Sequence, residues 1–261
     1  MIYMNNNLLI SYRNITLSVG EHIYLNKTHD SGLSFSLLTI NETIAISSDN
    51  TTETAIVLLN GSGIIDYHDK KISYFRNNWI NENPHVIHIS SNDSVTIHSN
   101  DITRFAIIRT NNPLSFQGKI YTPNEISVEH RGKDILDNTC YRLVRQAFDK
   151  NNATYSNLVI GEVMAFPGKW SSYPPHHHKQ PELYYYEFSP SYGYGHGELG
   201  EDVYKIYHQD LLVIDQNRDH SQVAAPGYNM YYLWAIRHLP NNPYSGFEYT
   251  AHHGDLVKKR R

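Results

Sequence analysis

The chain has 261 residues, 26 acidic and 22 basic side chains, a formal charge of -4 with histidines neutral, and 40% hydrophobic residues. That is the make-up of a folded chain of one large or two small domains, without the basic stripe of a nucleic-acid binder; the basic run Lys258–Arg261 reads as a solvated tail. No stretch nears the ~18 apolar residues of a membrane helix, and the start MIYMNNNLLISYRN lacks a charged segment leading into an apolar run, so the expected location is the cytosol.

Cys140 is the only cysteine, which excludes an internal disulfide and a thiolate metal cluster. Asn-x-Ser/Thr triplets at Asn14, Asn41 and Asn60 are read as chance in an Asn-rich chain.

In chain order the pattern is that of β structure. TETAIVLLNGSGIIDY alternates apolar and polar residues around a Gly-Ser-Gly turn, and HVIHISSNDSVTIHS and RFAIIRT give short strands separated by Asn, Asp and Ser. The stretch NNPLSFQGKIYTPNEISVEHRGKD carries Pro113, Gly118, Pro123 and Gly132 with little periodicity, which places a domain boundary near Pro123. CYRLVRQAF, NLVIGEVMAF, ELYYYEF, VYKIYH, DLLVID and NMYYLWAI follow as further strands rich in branched and aromatic residues. No amphipathic helix is evident. Two all-β halves of similar length suggest a duplicated barrel, although no repeat is visible in the letters.

The segment PPHHHKQPELYYY, Pro174 to Tyr186, carries the chemistry. Alternate side chains of a strand share a face, so His176 and His178 point one way and His177 the other. Glu182 heads the next strand and shares a face with Tyr184 and Tyr186, while His220 follows a strand that ends in a polar turn. Three imidazoles and one carboxylate suit a divalent ion such as zinc, nickel, iron(II) or manganese, with positions left open for substrate oxygens. His-x-His, then Glu, then a His about forty residues later is the metal spacing of cupins, double-sheet β barrels.

The stretches GKWSSYPPHHH, ELYYYEF and VAAPGYNMYYLW resemble 5-deoxy-glucuronate isomerases of inositol degradation, whose sister family is the 4-deoxy-L-threo-5-hexosulose-uronate isomerase of pectin breakdown. The resemblance runs from about Gly132 to Leu239 and is faint before it. It implies an all-β bicupin, with an N-terminal cupin without metal over residues 1–123 and a metal-binding cupin over 124–261. It also implies a metal on His176, His178, Glu182 and His220, a small sugar-acid substrate and aldose–ketose isomerisation.

Arg142 matches the family's Arg-x-Val and Arg131 its Arg-Gly turn, and Lys169 precedes the Trp-Ser-Ser segment; these three are candidates for the substrate carboxylate. Candidates for proton transfer are Glu182, Tyr184, Tyr186 and Asp219. Only Lys179, Gln180 and Pro181 separate the third histidine from Glu182, a length closer to the pectin enzymes, and Gln209-Asp210 and Asp215 replace the family's Gly-Asp and Pro. Sheet edges that must be covered point to a homo-oligomer. An iron(II) dioxygenase and a non-catalytic sugar-binding bicupin are the rival functions.

Overall fold

The structure, a computed structural model, describes residues 3–5, 8–13, 16–215 and 217–258. Asn14 of the first triplet and residues 259–261 of the basic tail lie outside the described residues. The chain forms two compact units, one of Thr16–Ile126 with Ala147–Val159, the other of Met1–Ile15, Ser127–Gln146 and Ile160–Arg261. The chain thus passes between units more than once, where composition had suggested a single boundary near Pro123.

Both units have the same antiparallel plan. In the first, one sheet runs in the order Lys119–Tyr121, Val86–Ile89, Thr52–Tyr67, Thr103–Asn111, Leu33–Ile40, Gly20–Leu25. In the second, Leu9–Ser11, Asp210–Ile214, Glu182–Ser189, Asn229–Arg237, Leu158–Ala165 and Arg142–Phe148 follow in the same roles.

The second sheets also correspond. Ile44–Ser47 pairs with Ser94–Ser99, which pairs with the far half of Thr52–Tyr67, which pairs with Lys70–Arg76. Trp170–His177, His220–Ala224, Tyr194–Leu199 and Asp202–Tyr207 repeat that order. The duplication invisible in the letters is explicit in the strand pairing, because pairing order depends on where apolar faces meet rather than on which apolar residues form them.

One expectation is corrected here. TETAIVLLNGSGIIDY does not turn at Gly-Ser-Gly; Thr52–Tyr67 is one continuous strand serving both sheets of its unit. The glycines are there for close approach, since a Cβ on Gly61 would lie 2.2 Å from Thr103 Oγ1 and one on Gly63 2.0 Å from the His98 carbonyl oxygen. The ladder with Thr103–Asn111 shifts register beside them, where the strand bends from one sheet into the other.

Between the sheets of the first unit lies an aliphatic core that includes Leu38, Ile40, Ile56, Leu58, Ile87, Ile97 and Ile107. Each such side chain contributes about 1.5–3 kcal/mol on burial. In the second unit Glu182–Ser189 is central and buried on both faces through Phe188, with Leu183 and Tyr185 packed to one side and Glu182, Tyr184 and Tyr186 turned to the other. Asp255–Lys258 is the sole α-helix among the described residues, and no described helix is long and apolar enough to cross a membrane.

Candidate metal centre

Strand pairing brings the histidines together. His176 and His220 are direct partners in the antiparallel ladder between Trp170–His177 and His220–Ala224, and their ring centroids are 4.5 Å apart. Glu182, first residue of its own strand, reaches them from the opposite sheet: its Oε2 lies 3.0 Å from His178 Nε2 and 3.5 Å from His220 Nε2. Ligand atoms of His178, Glu182 and His220 all lie within 4.8 Å of one another, and none of these residues or His176 is more than 9% exposed.

The hydrogen bonds decide which ring nitrogens are available. His220 Nδ1 is 3.0 Å from the Arg218 carbonyl and His176 Nδ1 is 3.2 Å from the Pro174 carbonyl. A carbonyl only accepts, so both Nδ1 atoms carry hydrogen and both Nε2 atoms present lone pairs. His220 Nε2 is buried without a hydrogen-bond partner among the described residues, and it faces a carboxylate.

A lone pair opposite a buried carboxylate is unfavourable unless a cation lies between them. A proton is a poor candidate, because burial drives the His220 and His176 pKa values down, for His176 well below the ordinary range. A divalent ion satisfies the donor set, and imidazoles whose far nitrogen donates to a backbone carbonyl are the usual metal-ligating arrangement. Of the four expected ligands, His178, Glu182 and His220 form the group that fits a metal ion, and His176 stands beside His220 without being part of it.

His177 points the other way, its Nδ1 2.6 Å from Asp219 Oδ1 and its Nε2 3.9 Å from Glu248. Asp219 is thereby engaged on that outer side and does not line the cavity beside the histidines. The cavity, about 240 Å³, is bounded by Arg142, Ser172, His176, Glu182, Tyr184 and Tyr232, among others.

Across it runs a hydroxyl network: Tyr232 Oη is 2.5 Å from Ser171 Oγ and 3.0 Å from Ser172 Oγ, which is 3.2 Å from Tyr184 Oη. Ser172 holds a left-handed backbone (φ 50°), and the strand's register shifts between Ser171 and His176, so consecutive serines both reach the tyrosines. Burial raises the pKa of both tyrosines, so they stay protonated and offer hydrogen-bond donors. Tyr186 shares the face of Tyr184 but lies off the cavity, with its hydroxyl donating to Gln222 Oε1 at 2.6 Å.

The three basic candidates separate. Lys169 does not line the cavity. Arg131 does, but one edge of its guanidinium is held in a fork by Glu129, Nε at 2.9 Å and Nη2 at 2.5 Å. Arg142 is 5% exposed, donates from Nη1 to the Cys140 carbonyl at 2.8 Å, and has no carboxylate partner among the described residues. Burial, with the like charge of Arg131 nearby, lowers its pKa.

Sequence reasoning passed over Tyr232, Trp234 and the segment containing Tyr244 and Phe247, which wall the cavity. The first two were legible in the alternation of NMYYLWAI, whose register sets Tyr232 beside Tyr186 and Trp234 beside Tyr184. The later segment carries no periodicity, yet Phe247 packs at a tilt against His176 at 4.2 Å and Tyr244 meets His178 at 5.0 Å between ring centroids.

The sequence profile of the KduI/IolB family matches residues 16–256. The chain belongs to that family. Among curated KduI/IolB relatives it is similar to the 5-deoxy-glucuronate isomerase of Geobacillus thermodenitrificans, 23% identical over 183 residues, which is 61% of this chain and 65% of the relative. To that of Lacticaseibacillus casei it is 26% identical over 250 residues, 87% of this chain and 90% of the relative. The matches to the first relatives span less than two thirds of their lengths, 65% and 58%.

Among solved structures, an IolB-like protein from Salmonella typhimurium LT2 superimposes with a TM-score of 0.83 at 20% identity, covering 96% of this chain and 99% of that one. The oxalate decarboxylase of Lactobacillus farciminis gives 0.64 at 9% identity, covering 99% and 94%. A cupin 2 conserved barrel domain protein from Leptotrichia buccalis gives 0.54 at 17%, covering 91% and 99%. The KduI/IolB chain is thus an all-β bicupin, and since the same barrels carry a decarboxylase, its reaction has to be argued from the site.

Proposed function

We propose that the protein is a metal-dependent aldose–ketose isomerase that converts 5-deoxy-D-glucuronate to 2-deoxy-5-keto-D-gluconate in inositol degradation. The observation that carries this reading is a single cavity holding both a buried His/Glu ligand group and a buried arginine without a carboxylate partner. A sugar acid offers the two complementary ends, a carbonyl with its adjacent hydroxyl and a carboxylate. The names of the curated relatives agree with it.

In this reading His176, His178, Glu182 and His220 hold a divalent ion, zinc in the first instance, which when bound supplies Lewis-acid polarisation of the substrate carbonyl. Arg142 receives the carboxylate, with Arg131, fixed by Glu129, adding positive potential at the same wall. Isomerisation removes a proton from C2, returns one to C1, and moves the hydroxyl proton from O2 to O1. Tyr184 and Tyr232 present hydroxyls, backed by Ser171 and Ser172, to bind the substrate oxygens and relay those protons. Tyr186 and Asp219, candidates on sequence grounds, are committed to Gln222 and His177 and take no part.

The three-residue link Lys179–Pro181 favours a second reading, the pectin-derived 4-deoxy-L-threo-5-hexosulose uronate as substrate. The test is to supply both compounds to metal-loaded protein without redox cofactor or dioxygen and follow product by NMR. Turnover of the first, abolished by chelator and restored by metal, is the expected result; turnover of the second alone would transfer the assignment to the sister activity. No turnover of either by metal-loaded protein leaves a dioxygenase, detected by oxygen uptake, or a non-catalytic sugar-binding protein.

A further inference from the structure

The first unit contains a cavity of about 1140 Å³ at one end of its barrel, unrelated to any metal ligand. It is somewhat larger than the usual small-molecule site, which reaches about 1,000 Å³. Its walls come from the hairpin at Tyr67–Ile72, the turn Ser90–Asp93, the stretch Ser115–Thr122 and Tyr155, all within that unit.

Part of the wall is a preformed aromatic platform. Phe116 and Tyr155 stack at 4.4 Å with their planes 24° apart. Behind them His88, fully buried, packs against Phe116 at 4.8 Å and against Phe148 at 4.3 Å. Its Nε2 faces Glu53 Oε2 at 3.5 Å, and Asn112 Nδ2 donates both to that oxygen at 2.7 Å and to the Tyr155 carbonyl at 2.9 Å. The buried Glu53–Asn112 pair thus pins the platform from below.

Polar groups line the rest. The Tyr67 hydroxyl donates to Asp93, whose other carboxylate oxygen lies 3.4 Å from His68 Nε2, and Asn92 and Gln117 add exposed amides. Gly118 lets the chain close on Tyr67, since a Cβ there would lie 2.0 Å from the Tyr67 hydroxyl.

Charge decides the class of ligand. Lys119 is paired with Glu125 at 3.1 Å, Asp93 is held by Tyr67 and His68, and Asp69 and Lys70 stand exposed at the hairpin tip. Unlike the Arg142 wall, this cavity offers an anion no buried unpaired cation. A flat apolar face beside hydroxyl, carboxylate and amide groups matches the C–H face and hydroxyl rim of a sugar ring.

We propose that this cavity binds a neutral saccharide, with room for more than one ring. The site is separate from the metal centre and does not depend on the isomerase reading.

The test is saturation-transfer NMR on the full chain with D-glucose, D-galactose, maltose and cellobiose as probes, each at about 10 mM to suit millimolar affinity. Transfer to ring C–H protons of at least one probe is expected, weakened about fivefold or more by Phe116→Ala, which removes half of the platform. Gln117→Trp, at an exposed wall position that does not threaten folding, should block binding, and Arg142→Ala should leave it unchanged. Transfer to none of the four probes overturns the proposal, as does transfer that survives Gln117→Trp or disappears in Arg142→Ala.

Discussion

His176 and His220 face each other across neighbouring antiparallel strands, and each donates Nδ1–H to the carbonyl two residues earlier in its own chain, Pro174 and Arg218 respectively. The paired geometry satisfies both Nδ1 atoms within the backbone and leaves both Nε2 atoms as the lone-pair nitrogens, and that of His220 already lies with His178 and Glu182 in the ligand group. Preorganisation of this kind removes part of the entropic cost of binding.

Metal affinity should follow the strand face. His220→Ala removes an inward ligand and should weaken metal binding by about tenfold or more, whereas His177→Ala, whose ring is engaged with Asp219, should change it less than about threefold. Chelator competition on both variants measures this; equal losses would refute the assignment of faces.

Substrate affinity should depend on Arg142. Replacing it with Ala leaves the carboxylate without its charge-assisted bonds in ground and transition states alike, so KM should rise roughly 10- to 100-fold with a smaller change in kcat. Lys169→Ala, outside the cavity, should behave as wild type. Steady-state kinetics on the two variants decide, and a kcat effect without a KM effect for Arg142→Ala would move the carboxylate elsewhere.

The hydroxyl network should bear on the chemical step. Tyr232→Phe keeps the ring packing and deletes the group shared with Ser171 and Ser172, and a fall in kcat of about 100-fold is expected for loss of a proton carrier. Tyr186→Phe, whose hydroxyl serves Gln222, should leave kcat within about threefold of wild type. Similar losses in both would show that the Tyr232 hydroxyl has no special part in the chemical step.

Acid stability has a separate determinant in the first unit. His85 is buried beside Arg76, its Nδ1 lacks a hydrogen-bond partner among the described residues, and burial with the Arg76 charge lowers its pKa to about 4. The unfolded chain takes up this proton near pH 6.5 and the folded chain does not, so stability rises with pH across this window and is lost as pH falls from about 6.5 towards 4. The loss from this residue is on the order of 3 kcal/mol at pH 4. Urea unfolding at several pH values should show a flatter dependence for His85→Phe; an unchanged slope would assign the effect to other groups.

Association should use the exposed apolar side chains at the end of the first unit's sheet. Among the described residues Gly20–Leu25 is the last strand of that sheet, with Ile23 54% exposed and Val19 51% exposed just before it. A homodimer or larger assembly is expected by light scattering at micromolar concentration, with Ile23→Lys shifting it towards monomer. A monomeric mass for the unmodified protein would dispose of the idea.

What the sequence determined by itself was local. Alternation along a strand follows from backbone geometry, so PPHHHKQPELYYY sufficed to set His176 and His178 against His177, and Glu182 with Tyr184, before any partner strand was known. Chain order likewise shows where apolar strands begin and end, but not that Gly61–Gly63 lies inside a strand, since a glycine pair in a turn and one in a close crossing look alike in the letters. The remaining distinctions were decided by neighbours remote in sequence. Arg131 and Arg142 are equivalent as letters and differ because Glu129 cancels one guanidinium and burial leaves the other unpaired; Asp219 drops from the cavity because His177 claims it. Charge compensation and desolvation are set by what folding packs within a few ångströms, and so the cavity of the first unit, assembled from four separate stretches, left no sign in any one of them.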